Sequence, residues 1–315
     1  MEIQEANEAF YDYLDQTAMR LYEADKTPYL EGLSLALSFL LDDTFSKAIT
    51  PSVQTDITAY KEAILHQSFS KESVRKAIQL SLLKGFKHME ITNSMMTPDS
   101  IGMFVAYLLK KLYNNQKDLT VLDPLNGTGN LCATLHNHYA DSLKFTGLDA
   151  DPLLCHIARN FFDALEMKHE VFHQDTLTYE GPKVDLIVTD FPIETQNRKH
   201  SYFPYEVILH HQAFLKPYGF FLAIIENDFF DQKEAPGFKK RLLENMHLYG
   251  LIKFDEGLFK NHPQSLLIMQ KKHEASETID DFLLADLPPF TEQKAFQRTL
   301  NQIEDWFLKR KVDEQ

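Results

Sequence analysis

The run Asp123-Pro124-Leu125-Asn126-Gly127-Thr128-Gly129-Asn130 closes an apolar segment, Leu119 to Leu122, and opens a helix-like one, Leu131 to His138. Two glycines one residue apart let the backbone turn sharply and bring N–H groups to a helix N-terminus. At the carboxyl end of a sheet, such a turn holds the polar part of a nucleotide-like ligand. No Gly-Lys-Ser/Thr follows, so the loop is not a P-loop, and the third glycine of G-x-G-x-x-G is missing. Three further acidic residues recur at strand–helix intervals: Asp149 in Asp149-Ala150-Asp151-Pro152, Asp175 before Thr176, and Asp190 in Asp190-Phe191-Pro192-Ile193. An Asp closing a second strand is placed to accept hydrogen bonds from ribose hydroxyls. One closing a third strand can accept from a purine amino group. A single Asp of this kind reads as a helix cap. Four at one sheet edge, in sequence order, point to a nucleoside ligand.

The elements that must position them follow from hydropathy. Leu119–Leu122, Phe145–Leu148, Glu170–His173, Val184–Thr189 and Phe220–Ile225 read as buried strands. Helices come between, notably Leu153–Leu165 and Val207–Leu215. The alternation predicts an α/β fold with a doubly wound, largely parallel sheet. Leu248–Phe254 and Ser265–Gln270 lack a long helix between them and read as a closing antiparallel edge pair. Upstream, residues 1–90 read as a helical N-terminal domain. Phe10, Tyr11, Leu14, Met19, Leu21 and Tyr22 recur at helical spacing, as do Leu33, Leu37, Leu40 and Leu41, and Ser70 to Lys84 carries Val74, Ile78, Leu82 and Leu83 on one face. This region holds no catalytic constellation and reads as a cap, an arm or a surface for a homodimer. Thr50-Pro51 and Thr97-Pro98-Asp99 are helix-start signals. The second start, with its cap hydroxyl and free N–H groups, is also suited to an anion such as a carboxylate. Residues 91–275 form the predicted α/β domain and 276–315 an acidic linker, a Leu-Pro-Pro turn and a terminal helix.

Composition narrows the partners. The chain has 315 residues, 44% hydrophobic and 25% charged, which describes an ordinary globular protein. No apolar run approaches the roughly 20 residues of a membrane span. The acidic start Met-Glu-Ile-Gln-Glu lacks the basic and apolar blocks of a signal peptide, so a cytoplasmic location is expected. Cys132 and Cys155 lie in predicted helices and read as reduced thiols, without a metal site. His136, His138, His156, His210 and His211 are scattered on helices and read as surface or core residues. The net charge of −14 repels polyanions as a whole. Lys110–Lys111, Arg198–Lys199 and Lys239–Lys240–Arg241 are the basic runs, read as solvated helix ends.

Taken together, these motifs resemble the class I S-adenosylmethionine-dependent methyltransferases of the amino-group type, close to the bacterial N6-adenine DNA methylases. The match covers roughly residues 90–272, and the helical N-terminal region is similar to that of a bacterial subgroup. The resemblance implies a Rossmann-like, seven-stranded, mostly parallel sheet with a reversed final strand, and S-adenosyl-L-methionine as cofactor. It assigns Thr97 to the methionine carboxylate. Asp123, Pro124, Asn126, Gly127, Gly129 and Asn130 become the cofactor loop. Asp149, with Ala150, is placed at the ribose hydroxyls, and Asp175, with Thr176, at the cofactor adenine. Asp190, Phe191, Pro192 and Ile193 stand where that family has Asn/Asp-Pro-Pro-Tyr/Phe. Two positions depart from it: Phe191 replaces a proline, and Ile193 replaces the aromatic residue that stacks on a flipped base. Tyr202, Phe203 and Tyr205, in a polar loop, are the candidates to supply that ring.

The chemistry expected is methyl transfer to an exocyclic amine, adenine N6 in DNA by resemblance. Such an amine is a poor nucleophile until acceptors on its hydrogens aim its lone pair at the methyl group. Asp190 and the Phe191 carbonyl are the acceptors. Only 43 residues follow Lys272, too few for a large target-recognition domain. RNA adenine and a protein side-chain amide therefore stay open as substrates. A cofactor-binding interaction protein without catalysis is the reading from a different class.

Overall fold

Apolar residues at three- and four-residue spacing wind the first part of the chain into helices. In the computed structural model, which describes residues 2–45, 47–89, 96–140, 142–193, 202–259, 262–273 and 281–313, these are α1 (Glu2–Asp25), α2 (Tyr29–Asp42), α3 (Pro51–Leu65) and α4 (Lys71–His88). The buried stripe of α1 is Phe10, Tyr13, Leu14, Thr17, Ala18 and Leu21. Tyr22, read above as part of that stripe, is 46% exposed, because it falls outside the arc that these positions span. α4 is capped by Ser70, whose hydroxyl accepts the Ser73 N–H at 3.0 Å. Helix α5 (Asp99–Leu112) begins at Asp99 with Pro98 in the cap position. Thr97 therefore does not cap it, a correction to the reading above; its hydroxyl is directed to the sheet edge.

Strands and helices then alternate: β1 (Thr120–Asp123), α6 (Asn130–His138), β2 (Lys144–Asp149), α7 (Pro152–Ala164), β3 (Lys168–His173) and β4 (Val184–Asp190). They continue with α8 (Phe203–His211), β5 (Leu215–Glu226), α9 (Ala235–Asn245), β6 (Met246–Phe254), β7 (Gln264–Lys271), β8 (Leu283–Leu287) and α10 (Gln293–Asp313). The sheet order is β3-β2-β1-β4-β5-β7-β6-β8. β1 to β5 pair in parallel, and β7 runs antiparallel to both neighbours, β5 and β6. The reversed strand implied by the resemblance is thus present as β7, while the closing pair read above as an edge lies inside the sheet. The buried run Gln264 to Met269 of β7 requires cover on both faces.

The edge belongs to an eighth strand, β8, parallel to β6. The stretch expected to be linker and turn hides this strand because it is short and flanked by acidic residues and prolines. Its alternation is nonetheless strand-like, with Leu283 and Leu287 buried and Leu284 73% exposed. β5 starts earlier than expected, at Leu215, and passes an irregularity in its pairing with β4. There Tyr218 adopts a φ of 63°, and a Cβ on Gly219 would lie 2.7 Å from the Asp185 carbonyl. Helix α8 also starts earlier, at Phe203, so Phe203 and Tyr205 are helical and not in a loop.

Alternate residues of β5 serve two cores, the signature of a doubly wound sheet. Phe220, Leu222 and Ile224 face the core shared with α1, α2, α4, α5, α6 and α7. Phe221, Ala223 and Ile225 face α8 and α9. The helical region is joined to the sheet region by polar contacts as well. Ser34 Oγ lies 2.6 Å from His156 Nδ1, and Asn160 Nδ2 donates to Ser38 Oγ at 2.8 Å. Both cysteines are buried and free. Among the described residues, no helix is long and apolar enough to cross a membrane.

The α2–α4 crossing is tight at one point. A Cβ on Gly85 would stand 2.2 Å from Leu30 Cδ2, and Leu30 is 2% exposed. Gly85→Ala is therefore expected to lower unfolding free energy by about 1–3 kcal/mol, despite alanine's better helix propensity. Urea unfolding checks this; an unchanged or raised midpoint contradicts the close crossing.

Candidate active site

The loop after β1 is shaped by its own backbone. The Asn126 N–H donates to the Leu148 carbonyl at 2.8 Å and the Gly129 N–H to the Asn126 carbonyl at 2.8 Å. Gly127 and Gly129 take φ values of 53° and 82°, where side chains are strained. A Cβ on Gly129 would also meet the Phe162 ring at 2.5 Å, so the loop lies against α7. The Gly127 N–H donates to Asp149 Oδ2 at 2.9 Å, and the Asp151 N–H to Asp149 Oδ1 at 2.8 Å. This ties the end of β2 to the loop after β1.

Behind the loop, Asp123 is 2% exposed. Its carboxylate accepts the Leu125 N–H at 3.1 Å and contacts Cys132 Sγ at 3.7 Å. Burial pushes this carboxyl up to about 7, with the nearby Asp190 carboxyl acting in the same direction. Burial likewise pushes Asp190 up to about 7, against the Thr97 hydroxyl, which donates to its Oδ2 at 2.7 Å. Asn130 Nδ2 holds the Thr97 carbonyl at 3.0 Å. Burial also raises Asp149, opposed by the N–H donors of Asp151 and Gly127.

These groups border one cavity of about 560 Å³. Thr97, Asp123, Asn126, Gly127, Asn130, Asp149, Ala150, Asp190 and Pro192 line it, and so does Phe203 from the start of α8. Pro124 and Gly129 shape the loop without lining the cavity. Met96, Leu125, Thr128, Leu131, Asp151, Pro152 and Leu154 also line it and were not singled out from sequence. Their only sequence signal is adjacency to the motif residues. Asn126 Oδ1 and Asn130 Oδ1 are buried acceptors without a hydrogen-bond partner.

The remaining sequence candidates lie elsewhere. The Asp175 carboxylate accepts the Leu177 N–H at 3.0 Å and caps a short 3-10 turn. The Thr176 hydroxyl is paired with His211 Nε2 at 2.8 Å. Neither residue lines the cavity. Phe191 is 4% exposed and packs in the core under α8 and α9, and Ile193 is half-buried and outside the lining. Tyr205 is a core residue, not a free ring. It stacks on Phe238 with centroids 4.0 Å apart, and its hydroxyl donates to the Phe229 carbonyl. Tyr202 packs edge-on to Tyr205 and, with it, borders a second cavity of about 720 Å³. Glu206, Glu234 and Arg241 border that cavity too. Among the basic runs, Lys111 pairs with Glu304 and Lys239 lies over the Phe230 ring. Arg198–Lys199 lies outside the described residues.

Comparison with known proteins now bears on this geometry. Residues 8–86 match the YtxK N-terminal helical domain, and residues 96–249 match the methyltransferase small domain. YtxK of Bacillus subtilis, an uncharacterised protein, is 31% identical over 323 positions, covering 96% of this chain and 98% of its own. The chain belongs to the YtxK family. A crystal structure from Listeria monocytogenes, described as a class I S-adenosylmethionine-dependent methyltransferase, superposes with a TM-score of 0.86 at 31% identity. It covers 96% of this chain and 99% of its own. A type I restriction-enzyme modification subunit from Vibrio vulnificus superposes at 0.62 with 16% identity, over 83% of this chain and 60% of its own. The type I methyltransferase subunit from Streptococcus thermophilus superposes at 0.60 with 15% identity, over 88% and 68%. These last two share the fold.

By family and fold this YtxK-family protein is a class I S-adenosylmethionine-dependent methyltransferase, and S-adenosylmethionine is its cofactor. The cavity fits that group. Carboxyls and unpartnered amide oxygens accept from hydroxyl and ammonium donors. Among the described residues no Lys or Arg lines it, which suits a sulfonium.

The raised carboxyls carry a pH signature. Asp123 and Asp190 bind a proton more tightly in the folded chain than in the unfolded one, where an Asp titrates near about 4. Their contribution to stability is complete below that value and is lost as pH rises through about 7. Asp123→Asn should therefore flatten the fall in melting temperature between about pH 4 and 7. A slope identical to wild type excludes Asp123 as a source.

Proposed function

We propose that this protein transfers a methyl group from S-adenosylmethionine to an exocyclic amino group, adenine N6 in DNA. The observation that carries the reading is the Thr97–Asp190 pair, which lines the same cavity as Asp149 and Gly127. Thr97 occupies one oxygen of the carboxylate and the other is left for a hydrogen of the acceptor amine. The Phe191 carbonyl is the second acceptor. Together they aim the nitrogen lone pair, a matter of positioning and electrostatics. A carboxyl near neutrality can also receive the proton that the nitrogen releases. Asp149 takes the ribose hydroxyls, while Thr97 and Asn130 border the amino-acid end. When bound, the cofactor supplies an electrophilic methyl on sulfur. Phe203 supplies the aromatic surface that Ile193 lacks, since it alone of the three ring candidates lines this cavity. The type I modification subunits among the fold neighbours favour DNA as the acceptor. A second reading, a protein side-chain amide, is favoured by the net charge of −14 and by Glu206 and Glu234 at the neighbouring cavity.

Calorimetry and radiolabelled methyl transfer to DNA, RNA and extracted protein test this reading. Asp149→Ala should weaken cofactor binding about 10- to 100-fold, the worth of hydrogen bonds to a charged group. Wild-type protein that binds no cofactor sinks the proposal outright. Asp190→Ala should lower transfer about 100-fold or more while cofactor affinity changes little; undiminished transfer removes Asp190 from catalysis. The wild-type rate should climb as pH rises through about 7, where Asp190 becomes an acceptor, and Asp190→Asn should lose that climb. Label in protein alone would decide for the amide reading.

A further inference from the structure

Among the described residues, Arg75 on α4 is the largest side chain shut off from solvent, at 0% exposure, and it belongs to the helical region. A buried guanidinium persists only where acceptors surround it. Here its Nε and Nη2 donate to Glu72 at 2.8 and 2.7 Å, and its Nη1 and Nη2 donate to Asp99 at 2.8 and 2.9 Å. Nη1 also reaches Thr134 Oγ1 at 3.2 Å. Burial works against ionising Glu72, but hydrogen bonds from Arg75 and Asn137 hold its carboxyl down at about 2, so the cluster stays charged at neutral pH.

From this cluster a continuous path runs to the cavity. Asp99 is two residues beyond Thr97 in the chain. Thr134 Oγ1 donates to the Asn130 carbonyl at 2.9 Å. Asn130 Nδ2 donates to the Thr97 carbonyl at 3.0 Å, and the Thr97 hydroxyl donates to Asp190 at 2.7 Å. A Cβ on Gly102 would meet Thr134 Cγ2 at 2.8 Å, so α5 and α6 are held in contact beside the path. Arg75, Glu72 and Asp99 themselves do not line the cavity.

We propose that Arg75 is a positioning residue, through which the helical region fixes the Thr97–Asp99 strap and the first turn of α6 for the amino-acid end of the cofactor. The proposal rests on the cofactor reading above. It assigns the helical region a share of the site. A guanidinium suits the task because its fork holds two carboxylates and a hydroxyl in one fixed geometry, which an ammonium cannot.

The test separates positioning from simple stability by using two ligands. S-adenosylhomocysteine carries the amino-acid end, and methylthioadenosine lacks it while keeping the adenosine and thioether. Full-length wild type, Arg75→Met and Asp99→Asn are titrated with each, with thermal unfolding in parallel. Both variants should lose about tenfold in affinity for S-adenosylhomocysteine, a coupling typical of indirect contacts, and change less than about twofold for methylthioadenosine. Equal losses for the two ligands, or no loss in a folded variant, overturn the proposal. So does a wild type that binds both ligands equally. Wild type that binds neither ligand overturns the cofactor reading itself. If Arg75→Met fails to fold, the near-isosteric Asp99→Asn decides alone.

Discussion

Three strand-end carboxyls share one cavity with Asp151, and the rest of the molecule has to make that tolerable. Asp123, Asp149 and Asp190 end β1, β2 and β4, and parallel strands place their ends at one edge. In a low-dielectric setting such groups either find donors or stay protonated. The donors here are backbone N–H groups of the turns, one threonine hydroxyl and the Cys132 thiol, and among the described residues no cation lines the cavity. Asp149, with two N–H donors, is held back most from neutralisation, whereas Asp123 and Asp190 rise to about 7. The sulfonium and ammonium of S-adenosylmethionine are of the sign that these carboxyls favour.

The same logic explains why the positive charge of this region lies one layer back. Arg75 pairs with Glu72 and Asp99, not with the carboxyls that line the cavity. A guanidinium inside the cavity would compete with the cofactor for the same acceptors. Set behind α5 and α6, it stiffens the walls and leaves the acceptors available. The helical region and the sheet region are therefore not separable layers. Arg75, the Ser34–His156 contact and the Asn160–Ser38 bond all cross between them, and their apolar residues form one continuous core.

Much of this was legible in the sequence for a physical reason. The glycine loop and the strand-end Asp residues are local signals, since each needs only its own turn and the strand before it. Asp123, Asn126, Gly127, Asn130, Asp149 and Asp190 meet because sheet topology does the rest. What failed was the inference from type to environment. Asp175 stands at the expected strand end, but its side chain lies outside the cavity lining, with Oδ1 accepting the Leu177 N–H. Tyr205 has a suitable ring, but Phe238 and Phe229 enclose it. Thr97 has a capping hydroxyl, but Asp190 claims it from across the fold. Arg75 has one local partner, Glu72, but its partners across the fold, Asp99 and Thr134, lie 24 and 59 residues away and left no sequence signal. β8 was hidden because a short edge strand carries little hydropathy of its own.

The altered motif after β4 looks different once its backbone is considered. The Phe191 N–H donates to the Ile224 carbonyl at 3.1 Å, a bond that a proline at this position cannot make. It extends the β4–β5 ladder one residue past Asp190, and the ring, 4% exposed, anchors in the core beneath α8 and α9. Proline would restrict the loop by its ring; phenylalanine restricts it by a ladder bond and a buried anchor. Either device holds the backbone that carries Asp190 and the next carbonyl, which is what the acceptor geometry proposed above demands. Phe191 thus preserves the rigidity of the motif by other means. At Ile193 the motif carries no ring, and among the described residues Phe203 is the aromatic residue that lines the cavity.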